Sequence, residues 1–260
     1  QTSPLVIYAY TSLTLVAMYG NYMLIVVGVT SLVNALLNSI NAGVGNLVAE
    51  GNKLQIKSVF WELTALRMWI ASIVCFGMYM LGDSFIIWWV GEECILPQST
   101  FIVLILITFI TLSRTNDVFL AAYGLYQDIW APIVEAILNL GLSILLGYYY
   151  GLTGILSGVL ISSLVIVYSW KPYFLYKKGF KENIVEYVLR YLKFLGLLSI
   201  SCWVTKAISG KLFILSMSSF FYWILYGLIV MGLYLFVSII FLSVDKSVRK
   251  FIQRFCKLLS

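Results

Sequence analysis

Residues 218–242 read SSFFYWILYGLIVMGLYLFVSIIFL, an unbroken apolar run without Asp, Glu, Lys, Arg or Pro. The hydrocarbon core of a bilayer is about 30 Å thick, and a helix needs about 20 such residues to cross it. This run is long enough to be a transmembrane helix. The same ruler gives seven more segments: Pro4–Tyr19, Tyr22–Val48, Phe60–Leu81, Thr100–Tyr123, Ile129–Tyr149, Leu152–Trp170 and Tyr191–Ala207. The fold class expected is therefore all-α, a polytopic transmembrane helical bundle of about eight helices.

Composition agrees. Of 260 residues, 62% are hydrophobic and 11% charged, with a mean hydropathy of +0.97. Soluble domains run at roughly 45–50% apolar and about 25% charged. A soluble globule could not cover so much apolar surface with so few charges, which excludes a soluble enzyme, a disordered chain and a disulfide scaffold. The cysteines Cys75, Cys94, Cys202 and Cys256 form no C-x-x-C pair and the chain has no His. Zinc sites and His-based triads are thus excluded. The fragment Ser209-Gly210-Lys211-Leu212 lacks the loop and the hydroxyl of a phosphate-binding P-loop. No cofactor and no metal is expected. The net charge of +6 does not imply nucleic acid, because the charges lie in short stretches between apolar runs. Membrane lipids are the expected surroundings.

The connectors are short. Gly20-Asn21 is expected to join the first two helices, and Gly151 to turn the chain after Tyr148-Tyr149-Tyr150. Gly82–Ser99 is a longer loop with Asp83, Glu92 and Glu93. Lys171–Arg190 is read as the one substantial polar connector, separating six helices from two. This divides the chain into a six-helix bundle at 1–170 and, at 171–260, a basic connector, two peripheral helices and a basic tail. Lysines and arginines cluster on alternate connectors: Lys53 and Lys57; Lys171, Lys177, Lys178, Lys181, Arg190 and Lys193; and, in the tail, Lys246, Arg249, Lys250, Arg254 and Lys257. Only Lys206 and Lys211 lie on the opposite side. By the positive-inside rule the first side is cytoplasmic, and so is the C-terminus. Trp88-Trp89, the three tyrosines, Trp130 and Trp170 fall at interfaces as anchors.

Polar groups at membrane depth are costly and are functional candidates. In the fourth segment, Arg114 and Asp117 are three apart on one helix face. Arg114 lies about nine residues, or about 13 Å, from the inner end. In the fifth, Glu135, Asn139 and Ser143 recur every four residues, and Glu135 has a depth like that of Arg114. The fourth and fifth segments should be antiparallel neighbours, so Arg114 can pair with Asp117 or Glu135. Such a pair would either lock two helices or line a cavity for an anion or coupling ion. Asn34, Asn38 and Asn41 share a face of the second segment and would serve interhelical hydrogen bonds or a hydrated cavity. Arg67, with Glu62 nearby, is expected to snorkel to the headgroups. Gly147-x-x-x-Gly151 and Gly154-x-x-x-Gly158 suit close helix packing.

The stretches Met18-Tyr19-Gly20-Asn21-Tyr22 and Ile40-Asn41-Ala42-Gly43-Val44-Gly45-Asn46-Leu47 resemble bacterial polysaccharide-biosynthesis flippases. These are oligosaccharide-lipid transporters of the multidrug/oligosaccharidyl-lipid/polysaccharide exporter superfamily. Arg114-Thr115-Asn116-Asp117, Ala122-Tyr123-Gly124, Pro132-Ile133-Val134-Glu135-Ala136, Asn139-Leu140, Gly151-Leu152-Thr153-Gly154 and Trp170-Lys171-Pro172 extend the resemblance, which covers 1–180. It implies a protein of two six-helix bundles arranged as a V, with two further helices. This chain would then hold the second bundle and those two helices, the first bundle of the same protein being a missing partner. The chain opens without Met, as if inside a helix. The resemblance implies alternating access that flips a polyprenyl-pyrophosphate-linked oligosaccharide across the bacterial plasma membrane, with Arg67 and Arg114 as the arginines able to meet the pyrophosphate. The expected role is that of a transporter rather than an enzyme. The alternatives are a drug/cation antiporter using Asp117 or Glu135, a membrane polysaccharide polymerase and a structural assembly subunit.

Overall fold

The computed structural model describes residues 7, 10–127, 129–212, 220–245 and 248–249 of the chain. Most of Pro4–Ala9 and the tail cations Lys246, Lys250, Arg254 and Lys257, with Cys256, lie outside the described residues. Among the described residues there is no strand, and the helices are α, π or 3₁₀. They include six helical stretches long and apolar enough to cross a membrane. One of these, Trp130–Phe180, doubles back on itself, which gives seven long rods. Such an arrangement is compatible with a multi-pass membrane protein.

Helix α1 (Leu13–Glu50) starts where the Ser12 hydroxyl accepts from the Leu15 N–H at 3.3 Å. It ends at Gly51 in the left-handed region, whose N–H donates to Val48 O. Asn52 then caps α2 (Lys53–Val90) by accepting from the Gln55 N–H. A two-residue turn thus joins two rods of 38 residues, each about 57 Å long at 1.5 Å per residue. The expected turn at Gly20-Asn21 is not there: both residues lie inside α1. One glycine costs a helix only about 1 kcal/mol, and nothing in the flanking sequence forces a reversal. Among the described residues six or seven long apolar helices result.

A 3₁₀ turn (Glu92–Cys94) leads to α3 (Gln98–Leu112), which is followed by a break at Ser113-Arg114-Thr115 and by short α4 (Asn116–Ala122). The single helix expected over Thr100–Tyr123 is therefore two. Next, α5 (Trp130–Ser163) reverses at Gly151, where φ 55° and ψ −136° suit only glycine. Its arms, 130–150 and 152–163, pack almost backbone to backbone. A Cβ on Gly154 would lie 2.0 Å from Leu146 O, and one on Gly158 2.4 Å from Ser143 N. The Ser143 hydroxyl crosses to Ile155 O at 2.9 Å.

The second arm of α5 does not stop at Trp170. It runs on through a π-helical stretch (Leu164–Trp170), α6 (Lys171–Phe174) and a second π stretch (Leu175–Phe180). Lys181, with φ 57°, ends it. Helix α7 (Val185–Leu212) begins four residues later. The polar connector expected over Lys171–Arg190 is mostly helix: the Lys171 ammonium reaches Asp117 and the Lys177 ammonium the Tyr173 hydroxyl, so their stems lie along the rod. Residue 170 lies within this rod. Helix α8 (Phe220–Leu242) closes the fold.

Helix α3 packs between α2 and α5, while α7 and α8 pair with each other and lean on α2. Trp69 donates its indole N–H to Ser238 Oγ at 2.9 Å, and Phe76 stacks on Tyr234 at 4.4 Å between ring centres. One end of the bundle, which collects Lys53, Lys57, the 181–184 turn and Arg190, is the basic end. Its core is aromatic: Phe60, Trp61, Phe119, Tyr176 and Tyr187 are all buried. Lys57 bridges Glu182 and Glu186 there at 2.5 and 2.6 Å, and Arg190 sits 4.6 Å above the Trp61 ring. The opposite, acidic end carries Asp83, Glu92 and Glu93. There the Tyr22 hydroxyl donates to Asp83 Oδ1 at 2.7 Å, and Trp88, Trp89 and Tyr148–Tyr150 are exposed.

Candidate functional site: a charge cluster at a helix break

The sequence Ser113-Arg114-Thr115-Asn116-Asp117 offers polar side chains that compete for backbone partners. The Ser113 hydroxyl donates back to Phe109 O at 2.7 Å, and the Thr115 N–H turns to Ser113 O at 2.9 Å. In an unbroken helix that N–H would serve Thr111 O, four residues back. The break is stabilised from outside the segment. Tyr168 and Ser113 share a 2.5 Å hydroxyl–hydroxyl bond, and Asn116 Nδ2 donates to the Tyr187 hydroxyl at 3.1 Å.

At the break, Arg114 reaches two carboxylates: Asp117 at 3.9 Å and Glu135, on the first arm of α5, at 3.5 Å. Both expected partners are thus present at once, loosely. The tight pair is one the sequence did not suggest. Lys171 Nζ lies 2.6 Å from Asp117 Oδ1, and its side chain is only 14% exposed. Lys171 was expected in a cytoplasmic connector, but the continuous rod 152–180 carries it inward to Asp117. The Ser163 hydroxyl adds a long contact to Glu135 at 3.4 Å.

Arg67 corrects another expectation. It does not snorkel: it is 5% exposed, and its Nη2 donates to Asn41 Oδ1 at 2.8 Å. Glu62 is buried as well and accepts from the Ser58 hydroxyl at 3.0 Å. Arg67 also lies within electrostatic reach of Asp117. One site therefore draws on α1 (Asn41), α2 (Arg67), the break and α4 (Arg114, Asp117), α5 (Glu135) and α6 (Lys171). Arg114 and Lys171 pair with Asp117 and Glu135 there, and the buried Glu62 stands on α2 five residues before Arg67. The Nε–H groups of Arg67 and Arg114, with Thr115 Oγ1 and Asn116 Oδ1, are buried without a hydrogen-bond partner among the described residues. Buried polar groups are usually satisfied, and those that are not call for a water, an ion or a ligand. Guanidinium N–H groups without a partner suit a phosphate-like anion.

The other expected residues stand apart. Asn139 accepts from Ser143 at 3.3 Å, within the α5 hairpin. Asn34 and Asn38 are exposed on α1 and make no side-chain hydrogen bond to the described residues, so only Asn41 of the three joins the cluster. Sequence reasoning missed Lys171 and the Tyr168–Ser113 and Tyr187–Asn116 contacts. A usable signal existed: Lys171 falls on a helical extension of the sixth apolar segment, where a lone cation needs a partner. Among the described residues no group of His, Cys, Asp and Glu could hold a metal ion. Compared with known proteins, the chain matches no family model, no curated protein and no solved structure.

Proposed function

We propose that this chain is part of a multi-pass bacterial plasma-membrane transporter, its basic end cytoplasmic, that flips a polyprenyl-pyrophosphate-linked oligosaccharide by alternating access. The observation that carries the reading is the cluster at the helix break. It combines two arginines and a lysine with guanidinium N–H groups that have no hydrogen-bond partner among the described residues. A pyrophosphate offers the acceptor oxygens those groups lack, and an Arg fork can hold two of them. Asp117 and Glu135 hold Arg114, and Asn41 holds Arg67, while the site is empty. Broken helices are tolerated at membrane depth where they are buried in protein or line a cavity, and the break at Ser113–Thr115 supports that role. The resemblance noted above supplies the oligosaccharide-lipid class, and the lysine and arginine asymmetry supplies the orientation.

The test is complementation of a strain lacking the native gene, with glycan export and membrane abundance measured in parallel. The paired variant Arg114→Gln, Glu135→Gln removes one charge of each sign, so the site's charge balance is unchanged. An abundant protein with export lost is the expected result. Export at the native level from an equally abundant variant would overturn the reading.

A further inference from the structure

Helix α7 packs along α8 and α2, and near its start Tyr187 and Tyr191 also touch Asn116 and Tyr168. Between it and α3 a groove is left, formed of two cavities. The one nearer the acidic end encloses about 500 Å³ and the one nearer the basic end about 390 Å³; Leu106, Phe109 and Leu195 line both. The floor is buried (Cys75, Phe76 and Leu198), whereas the rim residues Ile102, Leu106 and Trp203 are exposed. The groove therefore opens sideways, in the direction of the bilayer. Along α7 the larger cavity runs from Leu195 to Lys206, about 16 Å at 1.5 Å per residue. That is close to half of a hydrocarbon core about 30 Å thick, the depth of one leaflet.

Lys206 stands at the mouth of this cavity. With Lys211 it departs from the charge pattern of the chain, in which the other lysines and arginines of the connectors lie toward the basic end. Its ammonium donates to the Tyr79 hydroxyl and lies 4.7 Å from the centre of the Tyr79 ring. No carboxylate pairs with it among the described residues. Trp203, 72% exposed, stands one turn away on the same rim. An apolar channel one leaflet deep, with an uncompensated cation and an indole at its polar mouth, has the pattern of an amphiphile with a negative head.

We propose that this groove binds an anionic phospholipid of the leaflet at the acidic end. One acyl chain lies along α7 between Leu195 and Trp203, and the phosphate sits on Lys206. The lipid covers the side of α3 that α7 does not reach. This site is separate from the charge cluster and stands or falls independently of the transport reading.

The test places the full chain in phosphatidylcholine vesicles. The vesicles carry equal trace amounts of phosphatidylglycerol or phosphatidylcholine with a photoreactive acyl chain, and the labelled peptides are mapped by mass spectrometry. A lysine near an anionic surface is worth about 1 kcal/mol, or about a fivefold preference. Peptides 195–206 and 102–109 should therefore be labelled about five times more by phosphatidylglycerol. Lys206→Gln should bring these peptides to parity, Lys206→Arg should keep the preference, and labelling at the basic end should be unchanged in both. Equal labelling of the groove by the two lipids in the native chain would overturn the proposal. So would a preference that survives Lys206→Gln.

Discussion

The α5 hairpin makes the sharpest demand on single residues, and Gly158→Ala tests it. An added Cβ would meet Ser143 N at 2.4 Å, Leu142 C at 2.7 Å and Ser143 Cα at 2.8 Å. All three are backbone atoms of a helix, so none can swing aside. Ordinary carbon contacts lie at about 3.5–4.0 Å, and the two arms must therefore part by about 1 Å. Overpacking of this kind costs about 1–3 kcal/mol. Parting by that distance would also stretch the 2.9 Å bond from Ser143 Oγ to Ile155 O beyond hydrogen-bonding range, at about 1 kcal/mol. Against this, replacing a mid-helix glycine by alanine gains about 1 kcal/mol. The balance is a loss of about 2 kcal/mol. For a chain of this size that lowers the midpoint of thermal unfolding by roughly 4–8 °C. The control is Gly141→Ala, on the same hairpin but with nothing within 4 Å of the new methyl; it should raise the midpoint by a few degrees through propensity alone. Thermal unfolding of both variants in the same detergent decides the matter. A Gly158→Ala protein as stable as the Gly141→Ala control would refute the close approach of the two arms.

Two further outcomes follow from the charge pairs. Asp117→Asn should lower stability by about 1–3 kcal/mol, because it leaves Lys171 largely buried without its 2.6 Å partner; adding Lys171→Met should recover most of the loss, and a double-mutant cycle on unfolding midpoints with no coupling would count against the pair. Cysteine introduced at Glu92 should react with a membrane-impermeant maleimide in intact cells, while cysteine at Lys178 should react only after lysis; the reverse pattern would invert the orientation proposed from the basic residues.

How much could be read in advance depended on the range of the interaction. Apolar runs such as 218–242 make helices because no other structure satisfies the backbone in an apolar solvent. The all-helical class, the Gly151 turn, the glycine packing and the pairing of Arg114 with Asp117 and Glu135 were legible because each depends on residues close in sequence or on adjacent segments. The turn at Gly20-Asn21 was misread because a single glycine is ambiguous between a turn and a tolerated helical position; the tertiary environment chose the helix. Whether Arg67 reaches the headgroups or is buried depends on where Asn41 falls across the α1–α2 turn, and no periodicity within α2 records that. Lys171 is the clearest case. Its place at the start of the polar stretch Lys171–Arg190 marked a connector, but the π-helical run that carries it inward and the helix break that presents Asp117 come from elements 54 residues apart. Composition and hydropathy thus determined that the chain is a bundle of apolar helices. Only their packing decided which buried charges meet, because a charge in an apolar medium is positioned by its partner across space, not by its neighbours along the chain.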